Sequence, residues 1–138
     1  MSYIPKYILR RLFPKDCIKL VNDGIEITFN NVISPLKVEE VPEDFFSNYN
    51  IKIDSKEVSK DIMANVKITL NGKEFTKDNL KSMEGEVVPI GGKIKIFAPE
   101  TEFAGMKAVK GEEHKFHVII STPGGGKAEY GPLNRIIQ

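Results

Sequence analysis

The chain contains 138 residues, of which 41% are hydrophobic and 28% are charged, and its formal net charge is +1. This composition predicts one packed domain over residues 1–138 and excludes intrinsic disorder. The small net charge gives no general attraction to nucleic acid or to a membrane, so neither is expected as a partner. A single cysteine excludes a disulfide scaffold and a Cys-rich metal centre, and no cofactor or metal is predicted. No apolar run approaches the ~20 residues of a membrane-spanning helix, and no signal-peptide pattern opens the chain, so we expect a cytoplasmic protein.

The first segment, residues 1–22, is basic and mixes cationic with aromatic side chains. Apolar residues recur at every fourth position (Ile4, Ile8 and Leu12) up to Pro14, which is typical of a short helix, although a kinked strand would also fit. Cations beside aromatic rings suit nucleic acid, an anionic surface or a protein partner, and because the net charge is small we favour a protein partner or a second copy of the chain. The candidate partner-binding residues are Lys6, Tyr7, Arg10 and Arg11.

Short segments with alternating apolar and polar residues dominate the rest of the chain. Pro35 interrupts one of them and indicates an edge or bulged strand there. The pattern predicts an all-β fold, an antiparallel β-sandwich of about seven or eight strands with one or two short helical turns. The predicted strands lie at residues 25–29, 32–38, 49–53, 66–70, 86–90, 94–97, 106–109 and 114–121.

Turn residues separate these strands. Asn71-Gly72 is the strongest hairpin signal, because both central positions of a type I′ turn require positive φ. Asp23-Gly24 precedes a predicted strand in the same way. Residues 54–61 resemble residues 71–78 at an offset of 17, which predicts two consecutive hairpins, each followed by a Ser or Thr that caps a helical turn.

Three features carry possible chemistry, and each has a plainer structural interpretation. His114 and His117, the only histidines, lie three residues apart in a predicted strand and would point to opposite faces, which disfavours a shared metal. Cys17 has no histidine near it in sequence and is expected to be an unreactive side chain, either buried, as free cysteine most often is, or exposed. The acidic run of Glu39, Glu40, Glu43 and Asp44 lacks the EF-hand pattern and is expected to form a solvated loop.

The last segment, residues 123–138, is rich in glycine and is predicted to be a loop or tail, with Leu133, Ile136 and Ile137 able to dock. It begins with Gly124-Gly125-Gly126-Lys127 after a predicted strand, which resembles a phosphate-binding loop. The glycine spacing does not match that motif, and Ala128 replaces its Ser or Thr. A flexible connection is therefore the better interpretation.

The order of these motifs resembles the small β-sandwich subunit of C-glycoside deglycosidases over most of residues 6–122. That resemblance implies a small all-β subunit that pairs with a larger, metal-dependent catalytic subunit of barrel fold, with the metal held by the larger partner. No catalytic residue is transferred to this chain. The motifs that carry the resemblance are Lys6-Tyr7-Ile8, Asp23-Gly24, the run from Ile51 to Val58, the run from Leu70 to Thr76, and the run from Gly111 to Val118.

The sequence favours a non-catalytic interaction or accessory subunit, in line with an accessory role in a carbohydrate-active complex. No set of residues combines a nucleophile, a base and a stabilising group. Two alternatives remain: a module that binds a sugar or another small polar molecule through loop residues, and an enzyme that uses loop carboxylates. Candidate ligand-binding residues for the first alternative are Glu100, Glu102 and Glu112.

Overall fold

The computed structural model describes residues 5–22, 24–32, 34–39, 41, 49–103, 105–121 and 127–138. Within these ranges the fold is all-β, with two short α-helices and one 3-10 helix at Leu80–Met83. The helices are α1 (Lys6–Leu12) and α2 (Lys60–Met63). The strands are β1 (Ile18–Val21), β2 (Gly24–Asn30), β3 (Leu36–Lys37), β4 (Tyr49–Ile53), β5 (Lys56–Glu57), β6 (Lys67–Leu70), β7 (Lys73–Phe75), β8 (Val87–Val88), β9 (Lys93–Ala98), β10 (Glu102–Phe103), β11 (Met106–Lys107), β12 (Glu113–Ser121) and β13 (Lys127–Ile136).

Two antiparallel sheets form the predicted sandwich. The first has the strand order β1-β2-β9-β6-β7, and the second has the order β13-β12-β4-β5. Two further ribbons, β3-β8 and β10-β11, contain two residues per strand. Eight of the described strands are three or more residues long, which agrees with the predicted number. No helix in the described ranges is both long and apolar enough to cross a membrane.

The predicted hairpins are confirmed. Asn71 and Gly72 have φ values of 52° and 77° and connect β6 to β7, as a type I′ turn requires. Asp54 and Ser55 make the equivalent turn between β4 and β5 with φ values of 52° and 71°. The predicted cap is confirmed for Ser59, whose hydroxyl accepts a hydrogen bond from the Ile62 amide at the start of α2. It is wrong for Thr76, because the 3-10 helix begins after Asn79, which makes no side-chain cap hydrogen bond.

Four of the sequence motifs appear in altered or partial form. Among the described residues of the predicted strand 32–38, which leave out Ile33, only Leu36–Lys37 form a strand, directly after Pro35, in the small β3-β8 ribbon. The predicted strands at 86–90 and 106–109 are each reduced to two residues. Asp23 of the Asp23-Gly24 turn lies outside the described residues.

The prediction of a loop or tail at the C-terminus is wrong for residues 127–136, which form the ten-residue strand β13 paired with β12. The glycine and proline that suggested a loop occupy an irregularity in the ladder, where Gly131 and Pro132 together lie opposite His117. Gly131 has φ of 109°, and a Cβ there would lie 2.7 Å from the Phe116 carbonyl oxygen. The predicted docking is confirmed for Ile137, which is buried.

The basic segment forms the helical alternative of the two predicted structures. Leu9 and Leu12 of α1 are buried, whereas Lys6, Tyr7, Arg10 and Arg11 are exposed. The helix end is fixed to the second sheet, because Arg135 Nε of β13 donates to the Phe13 carbonyl oxygen at 2.9 Å.

The apolar interior consists of two clusters of buried residues. The packed core includes Ile25, Ile53, Phe103, Phe116 and Ile137 and joins both sheets. The second cluster contains side chains of β6, β7 and β9 together with Val41, Leu80, Met83 and Val88. The space between the sheets beside this second cluster holds the candidate site.

Candidate ligand-binding site

A cavity of about 370 Å³ lies between the two sheets. Two smaller voids, of about 30 and 20 Å³, lie beside Phe116 in the packed core. Protein interiors are normally packed as closely as organic crystals, with few voids larger than a water molecule. The large cavity is within the size range of small-molecule sites.

The alternation of the strands builds the walls of the cavity. On the first sheet two cross-strand rows face inward and line it, namely Ile27-Ile96-Ile68 and Phe29-Ile94-Leu70. On the second sheet the opposing row is Ile51-Val118-Tyr130, and Tyr49 of β4 extends this wall. One wall is therefore wholly apolar in its side chains, and the opposite wall carries two phenols.

Three aromatic rings connect the two walls. Phe13 packs on Phe29 with ring centroids 5.6 Å apart, and edge-on against Tyr130 at 6.4 Å. Aromatic pairs in such geometries are stabilised by more than the burial of their surface area, so they favour one orientation of each ring. We call this set, Phe29, Phe13 and Tyr130, the aromatic bridge.

Burial keeps the two phenols protonated. Desolvation, with a smaller contribution from nearby Tyr130, raises the pKa of Tyr49 to about 12. Desolvation also raises the pKa of Tyr130 above its ordinary value. A phenol with its ordinary pKa near 10 is already neutral at physiological pH, and these shifts place both groups further from ionisation.

Charged groups at this site lie toward the surface. Lys37 and Glu39 border the cavity and are exposed. Among the described residues, Asn31 is the only buried polar side chain. Its amide nitrogen already donates to the carbonyl oxygens of Ser34 and Val88 at 2.7 and 2.9 Å, so it supports the chain beside the β3-β8 ribbon.

A separate polar cluster lies where the β4-β5 turn meets the start of β12. His114 Nδ1 is 2.7 Å from Asp54 Oδ2, and His114 Nε2 is 3.4 Å from Glu112 Oε2. The Lys115 amide donates to Asp54 Oδ1 at 2.9 Å, and this bond and the histidine lower the pKa of Asp54.

The two histidines lie on opposite faces of β12. His114 is an even number of residues from Phe116 and Val118 and shares their inward face, whereas His117 lies between those two residues and belongs to the other face. The predicted opposite orientation of the two histidines is confirmed by this register.

Cys17 is buried, which is one of the two environments expected for it. Desolvation raises the pKa of its thiol to about 11, and the neighbouring Arg135 guanidinium offsets this only in part. The thiol therefore stays protonated at neutral pH, which makes it a weak nucleophile.

The candidate glutamates occupy different elements. Glu100 follows β9, Glu102 in β10 lies opposite Lys107, and Glu112 contacts His114. No group of three or more potential metal-ligating side chains forms within the described ranges, so these three do not converge on one ion there. Of the acidic run, Glu39 borders the cavity, while Glu40, Glu43 and Asp44 lie outside the described residues, as do Gly124, Gly125 and Gly126.

The cavity was not predicted, although its signal was partly present in the sequence. Alternation placed Ile27, Phe29 and Ile96 on inward faces, but the distance between two sheets has no local sequence signal. No protein-family model matches the chain, and no curated protein matches it significantly.

Proposed function

We propose that this protein is a non-catalytic module that binds a small, mainly apolar molecule between its two sheets. The observation that carries the proposal is the cavity of about 370 Å³, whose lining in the described ranges is apolar except for Lys37, Glu39 and the two tyrosines. An apolar cavity of about 150 Å³ in another protein is enough to bind benzene, so this one has room for a larger ligand.

This proposal revises the chemistry of the small-molecule alternative. A sugar needs many hydrogen-bonding partners, because its hydroxyl groups lose water on burial. The facing rows Ile27-Ile96-Ile68 and Phe29-Ile94-Leu70 supply none from their side chains. The cavity therefore favours a hydrocarbon-rich ligand over a carbohydrate.

Titration with N-phenyl-1-naphthylamine, a neutral fluorophore that brightens in apolar surroundings, tests the proposal. We expect saturable binding by the wild-type protein and loss of binding in Ile94→Phe, since the larger ring occupies the cavity. Ile90→Phe is the matched control, because Ile90 is 60% exposed and outside the cavity lining. Absence of saturable binding by the wild type, or equal binding by both variants, would contradict the proposal.

The accessory-subunit role is a second candidate function, and the exposed face of α1 favours it. Tyr7 is 65% exposed beside Lys6, Arg10 and Arg11, while Leu9 and Leu12 attach the helix to the fold. Tyr and Arg are enriched at protein interfaces. A partner with an acidic docking surface would fit, and the resemblance to the deglycosidase subunit suggests a larger catalytic chain.

Affinity purification from the source organism tests this second candidate. We expect the wild-type chain to retain one larger protein in a stable ratio, and the variant Tyr7→Ala, Arg10→Glu, Arg11→Glu to lose it. Lys95→Glu, an exposed change on β9, is the control for altered charge elsewhere. Recovery of the wild-type chain alone as a monomer would contradict the accessory role.

A further inference from the structure

We propose that the cavity selects a neutral ligand with one oxygen-bearing end, which accepts a hydrogen bond from the Tyr130 phenol while its hydrocarbon part lies on the opposite sheet. This inference rests on the proposed binding function and specifies its substrate class. Ketones, aldehydes, esters and alcohols of medium chain length belong to this class.

The uneven distribution of polar groups supports a single-ended ligand. The wall formed by β2, β9 and β6 carries Ile27, Phe29, Ile68 and other apolar side chains. The wall formed by β4, β12 and β13 carries the phenols of Tyr49 and Tyr130. A ligand with one polar end satisfies both walls, whereas a second polar group would be buried without a side-chain partner from the first sheet.

The aromatic bridge holds Tyr130 in place before a ligand arrives. Its ring packs edge-on against Phe13, whose own carbonyl oxygen is held by Arg135. A side chain whose ring is already held loses little conformational freedom on binding, and this favours affinity.

The charged side chains around the cavity favour a ligand with a neutral polar end over one with a carboxylate. A carboxylate is buried at acceptable cost only beside a cation or several strong donors. Among the residues whose side-chain burial the structure describes, no cationic side chain is fully buried, and Lys37 at the cavity border is exposed. A fatty acid is thus expected to bind more weakly than a ketone of the same length.

Competition against N-phenyl-1-naphthylamine tests the inference with 2-octanone and octanoate as the probes. We expect 2-octanone to bind the wild-type protein at least about tenfold more tightly than octanoate, because the carboxylate must lose its hydration. Tyr130→Phe should weaken the binding of 2-octanone about three- to tenfold, which is the value of one hydrogen bond. Tyr7→Phe is the matched control on the exposed face of α1.

The outcomes separate this inference from the proposed function. If the fluorophore does not bind the wild-type protein, the proposed function fails and the inference fails with it. If the fluorophore binds normally but octanoate equals 2-octanone, or Tyr130→Phe leaves 2-octanone unchanged, only the inference is overturned. Circular dichroism of Tyr130→Phe establishes that the variant is folded.

Discussion

The two halves of the interior are built from the same residue types but are packed differently. In the packed core, Phe116 faces Ile53 and Leu133 in adjacent strands, and the voids there measure about 30 Å³ or less. Beside the second cluster, rows of similar composition enclose about 370 Å³. Hydrophobic patterning therefore fixes which side chains face inward, and the spacing between the sheets decides whether they meet.

Truncation of one aromatic ring in each half should give the largest difference. Phe116→Ala is expected to lower the free energy of unfolding by about 3–5 kcal/mol, because a closely packed site cannot collapse around the lost ring. Phe29→Ala should cost clearly less, since Phe29 is half-buried and already borders empty space. Urea denaturation of both variants measures the difference, and equal losses would mean that the two halves are packed alike.

Enlarging a side chain tests the same difference in packing density, because it adds volume instead of removing it. Ile53 and Ile94 are 4% and 5% exposed, in the packed core and the second cluster respectively. Ile53→Phe should destabilise by about 1–3 kcal/mol through overpacking, whereas Ile94→Phe should stay within about 1 kcal/mol of the wild type. Thermal unfolding compares the pair, and a larger loss for Ile94→Phe would show that its side chain has no free space to enter.

Acid should remove the stability that Asp54 contributes in the polar cluster beside the packed core. We expect this effect to be smaller than those of the two changes in side-chain volume. The folded-state pKa of Asp54 is lowered, so its contribution to stability is present above the unfolded-state pKa, about 4, and is lost as the pH falls through the folded-state value. Asp54→Asn should therefore reduce the loss of Tm between neutral and acidic pH. Asp78→Asn, in an exposed turn, is the control, and an identical pH dependence of Asp54→Asn and wild type would contradict the assignment.

Local patterns predicted most of the fold. Alternation located β2, β4, β6, β9 and β12, and the Asn71-Gly72 pair fixed a hairpin, because both signals act over a few residues. Strand β13 was missed because Gly131 and Pro132 usually mark a turn. A bulge there shifts the alternation by one residue, so that Tyr130 and Leu133 both belong to inward rows.

The candidate site was less accessible to prediction than the fold. The loop glutamates were selected for their charge, and the sequence contains no signal for the distance between β13 and β2. Tyr130 and Phe29 lie about a hundred positions apart, so their connection through Phe13 exists only once both sheets are in place.

The C-terminal residues also have a consequence for folding during synthesis. Gln138 exchanges backbone hydrogen bonds with Ile18 and Leu20, so the end of the described chain completes the edge of β1. Residues 127–138 must leave the ribosome before that edge forms and before β12 gains its second neighbour. Until then Phe13 lacks its ring contact with Tyr130, and apolar surface that is exposed during folding makes a chain prone to aggregation.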